Sequence, residues 1–332
     1  MQFYGRTTAP WHIGLRKYGD YLYTRRDILW GRGIRGPVLR QLWRSYCPKS
    51  DLREAVEFRP ERDCVACEMS DECPFNNLRG SGDGEFKDKP KLIITNLRFR
   101  SDFNPILLNI STISDSLKSV VKGRAPVFIE CVPPDVEFEF EIILMGAGVR
   151  FKHEVLKAVD ISLRFFGWGG FCNEGYGRGL IEKVEEHDLD AFEERCLKPY
   201  AEKLEGAVKA SFTVKPILLI EKDGGGYYVN VLEKGFKERL MHSINERYWQ
   251  FYSRHVYTPI FEVSGRARTV KIAGWSRKLG RRKVFTGIGN ELVLSFRSLS
   301  NEEAKALALT RYGIGRFKNQ GFGSLELKEV WR

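Results

Sequence analysis

The sequence lacks the features of several large protein classes. No apolar run approaches the roughly 20 residues that span a bilayer, and the longest candidate, EIILMGAGV, is far shorter. The first residues, MQFYGRTTAPW, lack the apolar core of a secretion signal. No Walker loop occurs and no GxGxxG fingerprint follows a predicted strand, which argues against a nucleotide-dependent metabolic enzyme. We therefore expect a cytoplasmic protein with no membrane partner.

Acidic residues are few relative to basic ones. The chain has 54 Lys and Arg against 43 Asp and Glu, a formal net charge of +11. One segment, 265–283, has no acidic residue at all, although a solvated surface usually mixes both signs. Its cations are Arg266, Arg268, Lys271, Arg277, Lys278, Arg281, Arg282 and Lys283. This pattern favours a polyanionic partner, of which nucleic acid is the commonest.

A glycine-rich loop occurs twice. Residues 167–177 read GWGGFCNEGYG and residues 313–323 read GIGRFKNQGFG, an offset of 146 positions. A segment with helical spacing precedes each copy, and a short apolar run follows each. One such loop is a weak signal, because turns generally favour glycine, but two in the same context indicate an internal duplication. Either the loops present bare backbone to a ligand, or they are tight connections that the fold requires.

The hydrophobic fraction of 42%, with 13% aromatic residues, is sufficient for folded cores. The first predicted module covers 1–186 and contains a cysteine-bearing insertion at about 47–84. An acidic connecting helix over 187–210 leads to the second module, 211–332. Each half approximates β-α-β-β-α-β, so we predict an α+β protein of two tandem ferredoxin-like, RRM-like modules, each ending in a glycine-rich loop and a strand.

Local patterns add narrower predictions. PVLRQLWRSY, at 37–46, has the spacing of an amphipathic helix. YYVNVLE predicts a strand over 227–233, and KVFTGIGNELVLSF predicts a hairpin over 283–296. Ser300 and Glu303 have the spacing of a capping box for a following helix.

These residues resemble the RAMP superfamily of CRISPR-associated proteins, whose folds are ferredoxin-like. GWGGFCNEGYGRGLIEKV and GIGRFKNQGFGSLEL are similar to the family's C-terminal signature. APWHIGLRKYGDYLYTRRD and the later GRGIRGPVLRQLW are similar to its opening strand, loop and first helix. CVACEMSDECPF resembles the cysteine-bearing insertion that often follows that helix. The resemblance covers both modules, and the layout with a basic GWSRK segment is most similar to the repeat-processing endoribonucleases.

The resemblance implies a protein of antiviral defence that binds CRISPR RNA. As a repeat-processing endoribonuclease it would cleave precursor CRISPR RNA within repeats, using the 2′-hydroxyl beside the scissile phosphate and no metal. The alternative is a paralogue that binds CRISPR RNA without cutting it, or a backbone subunit of a CRISPR effector complex. RNA and other CRISPR-associated proteins are the implied partners in both cases.

Metal-free cleavage needs a general base or acid near neutral pKa, usually histidine, with cations nearby. The family's histidine commonly lies on or near the first helix, but PVLRQLWRSY contains none. We predict His12 as the catalytic group, with Lys17 and Tyr21 in the loop that follows; alternatively His12 packs beside Trp11 without chemistry. A further alternative is Asp20, which by resemblance to the backbone subunits would act in metal-dependent cleavage of target RNA.

RNA contacts are predicted at the basic segment, through Arg266, Arg268, Lys271, Arg277, Lys278, Arg281 and Arg282. They are also predicted at the second glycine loop, through Gly313, Gly315, Arg316, Lys318, Gly321 and Gly323. Glycine would let a phosphate approach backbone N–H groups, and the two cations would add charge. The second loop should therefore contact RNA more strongly than the first, which would mainly pack the modules together.

Four cysteines fall in or beside the insertion: Cys47, Cys64, Cys67 and Cys73. Four thiols in a loop-rich segment with little core of its own suggest a structural zinc site. The spacing is looser than a CxxC…CxxC pair, so iron–sulfur ligation, disulfides and free thiols stay open as alternatives. We predict no cofactor for catalysis.

Overall fold

A computed structural model of the chain describes residues 1–50, 63–64, 66–80, 91–110, 113–114, 119–120, 127–256, 260–276 and 281–332. They form two compact units, Met1–Glu186 and His187–Arg332. Two of the predicted RNA ligands, Arg277 and Lys278, lie outside the described residues, as do the side chains of Arg281 and Arg282. In the described ranges, no helix has the length and apolar character needed to cross a membrane.

The helices of the first unit are α1 (Gly31–Tyr46), α2 (Pro74–Arg79) and α3 (Lys152–Ile161). Its strands are β1 (Gln2–Thr7), β2 (Gly14–Tyr18), β3 (Tyr21–Thr24), β4 (Ile28–Leu29), β5 (Leu92–Ile94), β6 (Leu97–Phe99), β7 (Ile106–Ile110), β8 (Ile113–Ser114), β9 (Ser119–Val120), β10 (Val127–Cys131), β11 (Glu137–Leu144) and β12 (Gly179–Glu185). Short 3-10 or π turns cover Pro48–Ser50, Gly146–Phe151, Ser162–Phe166 and Cys172–Glu174.

The main sheet of the first unit has the strand order β12-β1-β11-β6-β4, with β5 also paired to β11. The opening strand β1 therefore lies between the closing strand β12 and β11, which is the third strand of the β-α-β-β-α-β plan. Both pairings of β1 are antiparallel. A second sheet, β2-β3-β10-β7, lies apart from this path, and β8 pairs with β9. The main sheet carries the predicted β-α-β-β-α-β plan, and the second sheet is an addition to it.

Aromatic side chains fill the core of the first unit. Trp11 and Trp168 are fully buried and meet edge to face, with ring centroids 6.2 Å apart. Phe138 and Phe140 pack against the same group from β11. Helix α1 buries Ile34, Val38, Leu39 and Leu42 toward this core. Since Trp11 directly precedes His12, this packing fixes the start of the candidate site.

Helix α1 begins earlier than the sequence predicted, and Pro37 lies inside it. Residues 31–36, GRGIRG, do form a GxGxxG stretch after a strand, which the sequence analysis missed because β4 has only two residues. β4 pairs antiparallel with β6, so the parallel βαβ unit of a dinucleotide site is not formed here. The backbone N–H of Gly31 donates instead to the side chain of Asn96, at 3.0 Å.

The helices of the second unit are α4 (Leu189–Phe192), α5 (Lys198–Leu204), α6 (Phe236–Tyr252) and α7 (Asn301–Leu309). Its strands are β13 (Lys209–Leu218), β14 (Glu262–Ser264), β15 (Ala267–Ser276), β16 (Arg281–Ser295) and β17 (Ser324–Trp331). A π turn covers Glu193–Leu197, and 3-10 turns cover Thr310–Tyr312 and Lys318–Gln320. The stretch predicted to connect the modules thus forms helices of the second unit as far as Leu204, and β13 begins soon after.

The sheet of the second unit has the order β14-β16-β13-β17, with β15 paired to β16. Counted along the β-α-β-β-α-β plan, β17 is the fourth strand, β13 the first, β16 the third and β14 the second. The main sheet of the first unit has the same order, fourth-first-third-second. Both opening strands also carry an irregularity toward their closing strands, at Tyr4/Gly5 and at Ser211/Phe212. The α+β prediction with two ferredoxin-like modules is confirmed.

Two local predictions for the second unit are wrong and one is confirmed. Residues 227–233 form no strand, and 283–296 form no hairpin, because β16 runs continuously and pairs with β15. Gly287 lies within β16, where a Cβ would stand 2.7 Å from the Leu219 side chain. This glycine therefore allows Leu219 to pack closely against β16, and it makes no turn. Ser300 and Glu303 form the predicted capping box of α7.

Candidate functional site

The two glycine loops have the same backbone conformation. Positive φ angles recur at the 146-residue offset in five pairs: Gly167 and Gly313, Gly169 and Gly315, Phe171 and Phe317, Gly175 and Gly321, Gly177 and Gly323. Both phenylalanines have a φ of 59°, which is uncommon for any residue other than glycine. Each is followed by a 3-10 turn. The duplication therefore extends to individual backbone dihedrals, and each loop joins the last helix of its unit to the closing strand, as predicted.

The first loop binds the chain just after β1. The N–H of Gly177 donates to the carbonyl of Pro10 at 2.9 Å, and the N–H of Gly170 donates to the carbonyl of His12 at 2.8 Å. A Cβ on Gly169 would lie 2.7 Å from that same carbonyl oxygen. Bare backbone in this loop is thus used by the fold to reach His12.

The second loop makes the equivalent bonds in its own unit. The N–H of Gly323 donates to the carbonyl of Ile217 at 2.9 Å, and the N–H of Arg316 donates to the carbonyl of Leu219 at 2.8 Å. His12 and Leu219 therefore occupy corresponding positions. The first unit has an imidazole where the second has an aliphatic side chain.

His12 is buried, with 6% of its surface exposed. Its Nδ1 lies 3.0 Å from the carbonyl oxygen of Glu130, on β10. Its ring meets the ring of Phe171 edge to face at 5.3 Å. A Cβ on Gly170 would lie 3.1 Å from the imidazole, so glycine there leaves room for the ring. Loop, strand and ring packing together hold the imidazole in one orientation.

The hydrogen bond of His12 determines its tautomer. A carbonyl oxygen only accepts, so Nδ1 carries the proton and Nε2 of the neutral ring is unprotonated. Burial lowers the pKa of His12 below its ordinary value, although the Glu130 carbonyl opposes this. Nε2 lies near Gly14, 3.7 Å from the position a Cβ would take there. The ring is therefore neutral at pH 7, with its basic nitrogen beside a residue that has no side chain.

Glu130 and Thr24 support this arrangement, and the sequence analysis missed both. The Glu130 carboxylate forms an ion pair with Arg26 and accepts from the backbone N–H of Thr24 at 3.2 Å. The Thr24 hydroxyl accepts from the N–H of Ile13 at 2.8 Å. Glu130 lies 118 residues from His12, and no short-range pattern in the sequence connects them.

The structure separates Lys17 from Tyr21. In the β2–β3 pairing Lys17 is opposite Leu22, and Tyr18 is opposite Tyr21. Successive side chains of a strand point to opposite faces, so Lys17 and Tyr21 lie on different faces of this sheet. These two side chains therefore do not act from one face, and the catalytic assignment of His12, Lys17 and Tyr21 stays a prediction.

Asp20 lies in the exposed turn between β2 and β3. Its backbone carbonyl accepts from the N–H of Phe128 at 2.9 Å. Among the described residues, no group of three or more His, Cys, Asp or Glu side chains is placed to hold a metal ion. Asp20 therefore has no set of further ligands in the described part of the chain.

The second loop is locked by a fully buried arginine that the sequence analysis missed. Arg247, on α6, donates to the carbonyls of Gly313 at 2.7 Å and Tyr312 at 3.0 Å, and to the side chain of Asn319 at 2.9 Å. Burial lowers its pKa to about 9, so it stays charged at neutral pH. Arg247 lies three positions after Ile244, on the buried face of α6. A charged residue at helical spacing from apolar ones is the sequence signal that could have identified this arginine.

The predicted RNA ligands of the second loop are largely used within the protein. Lys318 is buried and forms an ion pair with Glu246. A Cβ on Gly313, Gly315 or Gly323 would overlap a backbone carbonyl oxygen of the same unit. Only Arg316 of the two predicted cations is exposed, 3.7 Å from Glu221. Packing therefore explains these glycines, and Lys318 presents no charge to solvent.

The described residues of the basic segment lie in or beside a two-stranded ribbon. β15 and β16 pair from Ala267 opposite Asn290 to Ser276 opposite Arg281. β13 pairs with β16 only as far as Ile288, so in the described chain the ribbon beyond that point extends past β13. Arg266, Arg268 and Lys271 are exposed. This ribbon presents cations to solvent, as the charge pattern predicted.

The four cysteines of the insertion come near one another without forming a ligand set. Neighbouring thiols contribute, after burial, to a raised pKa of Cys64, to about 11, and of Cys47. Cys67 and Cys73 are among those neighbours. All seven cysteines of the chain are free thiols, and the described residues contain no metal-binding group of three. The zinc site stays a prediction.

No protein-family model and no curated protein matches the chain. Among solved structures, a Cas6 product complex matches with a TM-score of 0.41 at 11% identity over 99% of this chain and 100% of that one. Thermus thermophilus Cas6 matches at 0.39 and 13%, over 99% of each chain. A type III-B Cmr-beta complex bound to cognate target RNA matches at 0.36 and 16%, over 55% of this chain and 58% of that one.

Proposed function

We propose that this protein binds CRISPR RNA and cleaves precursor CRISPR RNA within its repeats, with His12 as general base and no catalytic metal. The supporting observation is the imidazole of His12, neutral and oriented beside the first glycine loop, at the position that Leu219 occupies in the second unit. Burying a polar ring costs free energy that leucine does not. A purely structural position has no need of that ring.

In this mechanism Nε2 of His12 accepts the proton of the 2′-hydroxyl. The oxygen then attacks the neighbouring phosphorus, so that a P–O2′ bond forms and the P–O5′ bond breaks. The products are a 2′,3′-cyclic phosphate and, after the departing oxygen takes up a proton, a 5′-hydroxyl end. The Glu130 carbonyl keeps Nδ1 protonated and favours the imidazolium that forms. A positioned base contributes about 10²- to 10⁴-fold in rate.

RNA binding is assigned to the cationic ribbon of β15 and β16. Arg268 and Lys271 are exposed on β15 and Arg266 is exposed just before it, and the chain carries a net charge of +11. Such cations bind the phosphate backbone with little regard to sequence. The cytoplasm is the compartment in which this processing would occur, with other CRISPR-associated proteins as further partners.

The alternative is a CRISPR RNA-binding protein, or a backbone subunit of an effector complex, that uses His12 only for structure. Two observations favour it: His12 is only 6% exposed, and α1 contains no histidine. A metal-dependent version would use Asp20, which the described residues leave without further ligands.

The deciding experiment is cleavage of labelled repeat RNA, with and without EDTA, by three proteins. These are the wild type, His12→Ala, and the matched control His153→Ala, which removes an exposed histidine of α3. We expect EDTA-independent cleavage that falls at least about 100-fold in His12→Ala and persists in the control. Binding without cleavage by the wild type would favour the alternative, and EDTA-sensitive cleavage would favour Asp20.

The insertion is proposed to hold a structural zinc ion through Cys47, Cys64, Cys67 and Cys73. The support is their number and spacing in a segment with little core, together with their proximity. Metal analysis of protein purified without chelator should find one zinc per chain, reduced in Cys67→Ser. Metal-free protein with an unchanged melting temperature would contradict the proposal.

A further inference from the structure

The second sheet of the first unit leaves one aromatic face open. In β2 and β3, Tyr18 is opposite Tyr21 and Arg16 is opposite Tyr23. In the neighbouring strand Phe128 is opposite Tyr21. Paired residues share a face, and alternate residues of a strand return to it. These five side chains, which we term the tyrosine face, therefore lie on one side of the sheet.

The two sides of this sheet differ in burial. On the opposite side Ile129 is fully buried and serves as core. On the tyrosine face, Tyr18 is 76% exposed and Tyr21 is 42% exposed. Leu107, on the same side in β7, is 56% exposed. Large apolar and aromatic side chains concentrated on one exposed face indicate a binding surface.

The rings on this face are already arranged for stacking. Tyr21 and Phe128 are parallel to within 15°, with centroids 4.9 Å apart. The guanidinium of Arg16 lies over the ring of Tyr23, 4.8 Å from its centroid. Aromatic rings interleaved with cations are the surface to which unpaired bases and their phosphates bind.

Charge and continuity identify the occupant. Residues 14–26, which contain β2 and β3, carry four cations and one acidic residue, so this stretch of the chain is basic. β2 begins two residues after His12, and Glu130 of β10 binds the His12 ring. Gly14 and Tyr18 are about 13 Å apart along an extended strand. A chain of nucleotides that reached His12 would thus continue over the tyrosine face.

We propose that the tyrosine face is a stacking platform for single-stranded RNA, which receives the bases next to the segment at His12. This rests on the proposed function for the polyanionic ligand. Stacking places the binding energy in the bases, whereas the cationic ribbon of the second unit binds phosphates. The two surfaces therefore differ in what they recognise.

The test uses the full chain and a labelled 12-nucleotide RNA without self-complementarity, beside the same oligomer built from abasic ribose. In Tyr18→Ala/Tyr21→Ala we expect about tenfold weaker binding of the normal RNA. Binding of the abasic oligomer should be unchanged. Tyr18→Phe/Tyr21→Phe should bind both as the wild type does, because the rings remain. Lys17→Gln, on the opposite side of the same strand, should weaken both oligomers equally.

Several outcomes would overturn the proposal. Wild-type affinity of a folded Tyr→Ala variant would do so, as would equal losses for normal and abasic RNA. A Tyr→Ala variant that keeps its RNA affinity but loses self-association on a sizing column would assign the face to a second copy of the chain. Failure of the wild type to bind either oligomer, or repeat RNA, would instead refute the proposed function itself.

Discussion

The two glycine loops share a backbone but differ in what surrounds it. Both have positive φ at the same five positions, and both donate N–H bonds to the end of their opening strand. The second loop is anchored by the buried Arg247 and by the Lys318–Glu246 pair. At the tip of the first loop, Asn173 and Glu174 are exposed.

This difference separates what the fold requires from what function can use. The glycines are common to both loops, so they belong to the ferredoxin-like plan. The imidazole of His12 is found in one unit only and corresponds to Leu219 in the other. A duplicated fold thus provides its own internal control, in which the residue that departs from the shared pattern is the functional candidate.

The largest effect is expected where both loops need glycine. A Cβ at Gly177 or Gly323 would overlap the carbonyl oxygen of Trp168 or Ile314, and both positions have positive φ. Gly177→Val and Gly323→Val should each destabilise their own unit by about 4 kcal/mol or more. Thermal melting with domain-specific proteolysis measures this, and a stable Gly323→Val protein would show that the loop can rearrange.

The next effect should be confined to the second loop. Arg247→Leu leaves the carbonyls of Gly313 and Tyr312 and the side chain of Asn319 without their donor. We expect a loss of about 3 kcal/mol in unfolding free energy. Arg247→Lys should recover little of it, because one ammonium cannot reproduce the planar guanidinium. Full stability of either variant in denaturant titrations would contradict this account of the lock.

Much of the fold follows from local sequence. The capping box at Ser300 and the paired glycine loops were both readable, because each depends on residues close in the chain. The hairpin predicted over 283–296 failed because Gly287 and Gly289 serve close packing against Leu219 and Val270. Glycine in a strand and glycine in a turn look alike until the neighbouring strand is known.

The candidate site was predictable only in part. His12 was identified from its type and position, but its tautomer depends on Glu130, far away in sequence. Lys17 and Tyr21 were grouped with it by proximity in sequence, and strand alternation separates them. Lys318 looked like a phosphate ligand because sequence does not show that Glu246 on α6 pairs with it.

A third prediction concerns a variant in which position 12 carries leucine, the residue at the corresponding position 219 of the second unit. His12→Leu should abolish cleavage and yet fold. The pKa of His12 is lowered in the folded state, so the unfolded chain binds its proton more readily. The wild type therefore loses unfolding free energy as the pH falls from about 6.5 toward the pKa of His12 in the folded state. His12→Leu lacks this group, so its unfolding free energy should fall less over the same pH range.

The same shift fixes the pH dependence of the wild-type rate. At pH 6.5 cleavage should be above half its maximum, and it should fall about tenfold per pH unit only below the lowered pKa of His12. Single-turnover rates from pH 4.5 to 8 measure this. A rate that already declines at pH 7.5 would show that another group is the base.

A smaller effect should come from the ribbon of the second unit. Neutralising the exposed cations Arg266, Arg268 and Lys271 removes positive charge that would bind phosphates. For a single strand, each neutralised phosphate-binding cation should reduce the slope of log affinity against log salt by about 0.7. Binding should weaken a few-fold at physiological salt, with stability unchanged. An unaltered slope across several salt concentrations would remove the ribbon from the interface.

The smallest effect tests whether the first loop touches RNA at all. Gly175 has a φ of 89°, and a Cβ there would meet nothing within 4 Å. Gly225, in a turn of the second unit, has a φ of 88° and equally open surroundings, so it is a matched control. Gly175→Ala and Gly225→Ala should each cost about 1 kcal/mol through left-handed strain alone. Only Gly175→Ala adds a methyl group on the loop beside His12, so only it should slow cleavage, by a few-fold. Equal cleavage rates in the two variants would mean that the first loop serves the fold alone and that RNA reaches His12 from the side of Gly14.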